Sequence, residues 1–316
     1  MPFDLVVLGD LVADLIVPIE RLPLHPNQHG WAGGLFVEPG GAGNVLIAAR
    51  RLNLATATVG TVGEDEYGAQ MLAMLAGAGV DVSHVLICPG RETVRCVVLT
   101  DRAGQHVYLG IKDGLGLWPY AAGWPDVIRH ARALFADGYT VRDVLTPADT
   151  LAALRTAQQA GVPVFFDPGP SVEFIPADLL AQVLAATDVL LLTDEEAAFL
   201  CGPATHADMA RSLLGRGPGT VVLKRGVAGC LVATAEGLVE HPGFAVDVLD
   251  TVGAGDAFAA AFIAGWLRGG SLRDCAALAN AMGALATTRR GAGTRIPGRD
   301  ALLALLADEP VLHTLA

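Results

Sequence analysis

The chain has 316 residues, of which 52% are apolar and 17% charged; that balance excludes a disordered polymer and leaves ample material for a large buried core. The formal net charge is −12 and no run of Lys or Arg offsets it, so neither nucleic acid nor an anionic membrane is an expected partner. A phosphate ligand is not excluded, because oriented backbone N–H groups bind anions without any net positive charge.

In chain order, the opening MPFDLVVLGDLVAD carries acids early and no basic segment, so no signal peptide is read. Phe3–Leu8 is a buried strand ending at Gly9. Val12–Phe36, rich in Pro, Gly and His, has the wrong texture for a βαβ unit. Asn44–Leu52 has helical spacing, Ala57–Val62 reads as a strand, and Tyr67–Ala78 as a helix closed by Gly79. Thr93–Ile111 reads as two strands around a turn at Asp101–Gly104. Strands and helices then alternate: Ala133–Ala136, Pro147–Ala160, Val162–Phe166, Ala177–Ala186, Val189–Leu192, Glu195–Leu200 and Thr220–Leu223. The last third is helical, over Gly253–Leu267, Leu272–Thr288 and Arg299–Ala307. The apolar run Ala257–Leu267 is too short to span a bilayer. The cysteines, Cys88, Cys96, Cys201, Cys230 and Cys275, form no C-x-x-C pair, which argues against a disulfide framework or zinc site and for a cytoplasmic location.

This alternation predicts an α/β fold with a mostly parallel sheet sandwiched by helices. The two stretches that break it are expected to pair as a small β-sheet lid. The division is then an α/β body over 1–11, 37–92 and 113–316, and a lid over 12–36 and 93–112. An exposed lid edge can pair with a second copy, so a homodimer through the lid is an expectation.

The chemistry is concentrated in Asp250-Thr-Val-Gly-Ala-Gly-Asp256-Ala-Phe258. Gly253, Ala254 and Gly255 let the backbone approach a ligand, and strong helix formers follow them. Their amides therefore stand at a helix N-terminus, where the dipole favours an anion. Asp256 lies in the same first turn. An acid there can simply stabilise the dipole; beside the glycines it can also serve as a base for a hydroxyl attacking a phosphoryl group. Pro39-Gly40-Gly41-Ala-Gly-Asn44 offers a second close approach, with Asn44 either hydrogen-bonding substrate hydroxyls or capping a helix. Asp14, five residues past Gly9, is either a ligand for sugar hydroxyls or a solvated loop acid.

These segments, in this order, resemble the ribokinase-like (PfkB-type) carbohydrate kinase family over roughly Phe3 to Pro297. DTVGAGDAF resembles its C-terminal signature almost residue for residue, and PGGAGN its glycine signature. Gly9 with Asp14, Phe166-Asp-Pro-Gly-Pro170, Thr193-Asp-Glu-Glu196-Ala, Lys224-Arg-Gly-Val-Ala-Gly229 and Thr288-Arg-Arg-Gly291-Ala resemble further family segments. The resemblance implies a Rossmann-like domain with a β lid that moves the γ-phosphoryl of ATP onto a hydroxymethyl group of a small sugar-like substrate. It gives Asp256 the role of base and the amides of Gly253, Ala254 and Gly255 that of anion hole. Asp14, Gly40, Gly41 and Asn44 would hold the substrate. Thr193, Lys224, Gly226, Gly229 and Gly291 would line the nucleotide. Glu196 would place Mg²⁺ through water, with Glu195 adjacent and the register open between them. Asp250 and the Val252 carbonyl would hold K⁺ or another monovalent cation, if one binds. Thr193 stands where the family usually has Asn. Val12, and the lack of a Lys after the glycine pair, speak against ribose itself. Lid residues such as Asn27, His29, Arg95 and Tyr108 are candidates for shaping specificity. The lid lacks a cluster of Arg or Lys, which disfavours a phosphorylated acceptor. Alternatives are a nucleoside kinase of the same fold and a non-catalytic binding protein on the same scaffold. A dinucleotide oxidoreductase fails, because Gly9-Asp-Leu-Val-Ala-Asp14 is not G-x-G-x-x-G.

Overall fold

The computed structural model describes residues 2–9, 11–27, 29–307 and 309. Its first half runs β1 (Leu5–Leu8), β2 (Leu11–Pro18), β3 (Phe36–Gly41), α1 (Ala42–Arg51), β4 (Thr56–Val59), β5 (Thr61–Gly63), α2 (Glu66–Gly77), β6 (Leu86–Cys88), β7 (Arg95–Thr100), β8 (His106–Ile111), α3 (Trp124–Arg129), β9 (Leu134–Asp137) and α4 (Pro147–Ala160). The second half runs β10 (Val164–Asp167), α5 (Ala177–Ala185), β11 (Val189–Thr193), α6 (Asp194–Cys201), α7 (His206–Leu214), β12 (Thr220–Lys224), β13 (Cys230–Thr234), β14 (Gly237–His241), α8 (Ala254–Leu267), α9 (Leu272–Ala286) and α10 (Arg299–Leu305).

The main sheet has eight strands in the order β14-β13-β12-β11-β10-β9-β1-β4. From β4 to β12 every neighbouring pair is parallel. Side chains alternate across a strand, and both faces here are apolar. Leu5, Val7, Phe135, Phe165, Leu191 and Val222 pack with α1, α8 and α9. Val6, Leu8, Leu134, Phe166, Leu192 and Leu223 pack with α3, α4, α5 and α7 on the other side. Helix α8 is apolar all round because it lies inside that first layer, buried from Ala257 to Gly265. Among the described residues no helix is long and apolar enough to cross a membrane.

The sequence reading missed the antiparallel edge made by β13 and β14. It also ran β4 and β5 together as one strand; the chain leaves the main sheet after Val59 and Thr61–Gly63 pairs with β6 instead.

A separate four-stranded sheet has the order β3-β2-β7-β8. Strand β2 runs antiparallel to β3 and parallel to β7, which forms a hairpin with β8. Asp101 shapes the hairpin turn by accepting from the amides of Ala103 and Gln105, and it also accepts from Leu22 N–H. Gly40 and Gly41 are the last residues of β3, opposite Val12 and Leu11, rather than a free turn before the helix. Ile16 and Val98 of this sheet pack on Val252 and Ala292. That contact seats the small sheet over the loop that opens α8.

Candidate active site

Parallel strands deliver their C-terminal residues to one edge, where α/β folds place their ligands. At that edge β9 ends in Asp137, β10 in Asp167, β11 in Thr193 and β12 in Lys224. The register sets Asp167 beside Asp137 and Thr193 beside Lys224. Lys224 Nζ donates to Asp167 Oδ2 at 2.6 Å, with both side chains largely buried. Burial alone would lower the Lys224 pKa; the Asp167 and Glu196 carboxylates outweigh it and hold the ammonium above its usual range. Burial, with Asp167 adding repulsion, pushes Asp137 up to about 6 against the hydrogen bonds from Thr140.

Thr193 starts α6 with a reciprocal cap. Its Oγ1 accepts from Glu196 N–H at 3.2 Å, and Glu196 Oε2 accepts from Thr193 N–H at 2.8 Å. Glu195 is exposed, whereas Glu196 is half-buried within the fields of Asp167 and Lys224. Burial first, then Asp167, raises the Glu196 pKa against the opposing pull of Lys224.

Helix α8 begins at the same edge. Gly253 is its N-cap with φ +74, a conformation that L side chains rarely adopt. The amides of Gly253 and Gly255 meet no carbonyl among the described residues, while Ala254 N–H turns to Thr251 O at 3.3 Å. A Cβ on Gly255 would lie 3.5 Å from Lys224 Nζ, so the ammonium stands directly beside this turn. Asp256, one residue on, keeps some surface open to solvent although it lies deep among protein atoms. Burial pushes its pKa up to about 7; donation from Asn44 opposes this, Asp167 and Asp137 add to it, and Lys224 opposes it.

Asn44 is buried on α1 and donates from Nδ2 to Asp256 Oδ2 at 2.8 Å. Its Oδ1 accepts from Gly293 N–H at 2.8 Å. Asp250, also buried, accepts from Val252 N–H at 3.0 Å and Gly291 N–H at 2.9 Å, tying the loop before α8 to the late loop.

The small sheet closes the opposite side. Asp14 is buried on β2 beside Gly40, where any Cβ would collide with its carboxyl group. Tyr108 on β8 is half exposed; the desolvation of its phenol, then the charges of Asp14, Asp256 and Asp250, raises its pKa. Tyr139, after β9, is pushed up to about 12 by burial and Asp137, with Asp256 also contributing. His106 Nδ1 and Thr251 Oγ1 meet at 3.4 Å, linking β8 to the loop before α8.

The fold thus gathers Asp14, Gly40, Asn44, Thr193, Glu196, Lys224, Gly253, Gly255 and Asp256. Gly291 joins through Asp250, and Gly226 and Gly229 lie in the turn between β12 and β13. Of the lid candidates, Tyr108 lies within the electrostatic reach of Asp14, Asp256 and Asp250. Arg95 instead pairs with Glu92 and lies over the Tyr67 ring at 5.6 Å, while Asn27 and His29 are exposed. Asp137, Asp167 and Tyr139 were not singled out from the sequence. The available signal was an acid directly following a buried apolar run, as in Phe135-Ala-Asp137 and Phe165-Phe-Asp167.

Residues 3–299 match the family described as pfkB family carbohydrate kinase. The chain belongs to the pfkB family of carbohydrate kinases. The ATP-dependent ribose-1-phosphate kinase of Halopiger xanaduensis is 36% identical over 304 residues, covering 95% of this chain and 97% of the relative. A fructokinase of Klebsiella pneumoniae is 34% identical over 319 residues, covering 94% and 97%. Among solved structures, Arabidopsis thaliana ribokinase complexed with ribose and ATP superposes with a TM-score of 0.82 at 26% identity, covering 97% of this chain and 99% of that one. The pfkB member described here is therefore a phosphotransferase, and ATP binding follows from that membership. Among its described residues no group of three or more His, Cys, Asp or Glu side chains is arranged to hold a metal by itself.

Proposed function

We propose that this pfkB kinase transfers the γ-phosphoryl of ATP to a hydroxymethyl group of a small sugar or sugar-like acceptor, with Asp256 as general base. The observation that carries this reading is the position of Asp256. It lies in the first turn of α8, hydrogen-bonded to Asn44, with its pKa pushed up to about 7 and the Lys224 ammonium one residue away at Gly255. A carboxylate poised near neutrality is the right base for an alcohol.

The protein's part is to position groups and to neutralise charge. Asp14, with the backbone at Gly40 and Gly41, grips acceptor hydroxyls, and Asn44 fixes the base beside them. The amides of Gly253 and Gly255 receive the transferring oxygens, and a small turn at Thr251 frees Ala254 to join them. Lys224, held by Asp167, stands beside that turn. Thr193, Gly226, Gly229 and Gly291 border the nucleotide. Mg²⁺ is a hard ion that keeps several waters and binds one or two protein carboxylates plus phosphates; Glu196 fits it, and the ion would neutralise phosphate charge. A monovalent cation such as K⁺ would use Asp250 and the Val252 carbonyl.

The small sheet of β2, β3, β7 and β8 acts as a lid that excludes water from the transfer. Val107, Leu109 and Ile111 are exposed on its edge strand, which supports a homodimer through the lid. We place the enzyme in the cytoplasm, acting on small molecules and not on nucleic acid or membrane. The test is a coupled ADP-release screen with ATP and Mg²⁺, with and without K⁺. Its panel holds fructose and ribose 1-phosphate, taken from the names of the relatives, beside ribose, sugar acids and nucleosides. Acceptor-dependent ADP release is expected. Its absence across the panel favours a non-catalytic binding protein, and release with nucleosides alone favours the nucleoside kinase.

A further inference from the structure

A buried carboxylate is costly unless donors surround it. Glu38 on β3 is 6% exposed and has three donors: Thr294 N–H at 2.9 Å, Thr294 Oγ1 at 2.6 Å and Arg295 Nε at 3.0 Å. The Arg295 guanidinium also lies over the Phe36 ring at 4.4 Å. Together these contacts clamp the turn 293–295 against β3. Gly293 sits at φ +59 within the clamp, where a Cβ would stand 2.9 Å from both Glu38 Oε2 and the Pro39 carbonyl. Its N–H is thereby aimed at Asn44 Oδ1.

An amide side chain has one accepting and one donating end, so fixing the oxygen fixes the NH₂. With Oδ1 held by Gly293, Nδ2 must face Asp256; the reversed amide would set a carbonyl oxygen against a carboxylate. We propose that Glu38 is a positioning residue for Asp256, acting through the 293–295 turn and Asn44. This rests on the reading of Asp256 as the base. Glu38 is also the register partner of Asp14 across β2 and β3. The clamp sets the amide that orients the base, although Glu38 touches neither reactant.

The experiment is a double-mutant cycle read in kcat, in KM for ATP and in thermal midpoint. It uses ATP, Mg²⁺ and the fastest acceptor of the panel above. Glu38→Gln is expected to lower kcat about tenfold by loosening the geometry, while KM for ATP holds. In an Asn44→Ala background the same substitution should change kcat by less than about twofold, because the path is already cut. Equal losses in the two backgrounds, or a wild-type kcat in Glu38→Gln, overturn the inference. Should Glu38→Gln fail to fold, Thr294→Val removes one donor at nearly constant volume and is read in the same cycle by the same criteria. Asp256→Asn separates the two levels. Near wild-type turnover in that variant removes the base reading itself; loss of turnover there with an additive cycle removes only the role of Glu38.

Discussion

Asn44 and Asp256, 212 residues apart in sequence, meet through a 2.8 Å hydrogen bond from Nδ2 to Oδ2. The bond favours the ionised acid and works against the burial that raises its pKa to about 7. The base must be deprotonated to act, so kcat/KM should rise with pH through a limb centred near 7 and level off above it. Asn44→Ala removes the opposing donor and should move that limb to higher pH. Lys224, Asp167, Asp137, Tyr108 and Tyr139 share the field and should be kept intact in the comparison. A pH–rate profile checks this; a limb near 4, the ordinary carboxylate range, contradicts it.

Asp256→Asn should lower kcat by at least about 10²–10⁴-fold, the usual worth of a general base. The same change should alter stability in a pH-dependent way. The folded-state pKa of Asp256 is raised above its ordinary 3.8. Its contribution to stability is therefore fully present below about pH 4 and lost as pH rises through about 7. At pH 8 the wild type holds a charged acid near Asp167 and Asp137, and the Asn variant does not. The variant should melt higher than wild type at pH 8, with the advantage shrinking at pH 5. Calorimetry at the two pH values gives the comparison; an Asn variant that melts lower at pH 8 contradicts the electrostatic account.

Much of this site is legible in sequence because its parts are local. Gly253, Gly255 and Asp256 fall within one helical turn, so their grouping needs no tertiary information, and the apolar runs of β1 and β9 to β12 announce a sheet buried on both faces. What the sequence withholds is pairing across distance. Nothing in the local pattern of Lys224 says that Asp167 will stand 2.6 Å away, because that follows from strand order. Glu38 reads as an ordinary acid before Pro39; only the fold sets it against Thr294. Asn44 could be read as a cap or as a substrate ligand, and its contact with Asp256 depends on how α1 and α8 pack. The hairpin β13–β14 was missed for another reason: it interrupts the expected strand–helix rhythm after Gly229.

Gly253→Ala and Gly255→Ala should behave differently despite being two residues apart. At Gly253 the positive φ costs about 1–2 kcal/mol for an L residue, and the new Cβ would stand 2.5 Å from the Ala292 Cβ. The late loop must shift, and Gly293 and Asn44 with it, so both thermal midpoint and kcat should fall. At Gly255 the nearest contact is Lys224 Nζ at 3.5 Å, an ordinary distance. That variant should keep its thermal midpoint while losing turnover by crowding the anion. Equal melting losses in the two variants would argue against this view of the turn.

Lys224→Met tests whether the buried ion pair is a brace or part of the phosphoryl site. Removing the ammonium leaves Asp167 beside Asp137 and Glu196 without its Lys224 donor. Breaking one side of such a pair typically costs about 3–5 kcal/mol, so the single variant should be markedly easier to unfold in urea. Adding Asp167→Asn removes the stranded charge and should restore most of that stability. Turnover should respond differently. Losing a preorganised cation at the transferring group should lower kcat by about 10²–10³-fold, and the neutral double variant should stay equally slow. Because Lys224 also holds the Asp256 pKa down, any residual activity should show an acid limb moved to higher pH. A double variant that recovers both folding and turnover would make the pair a brace alone.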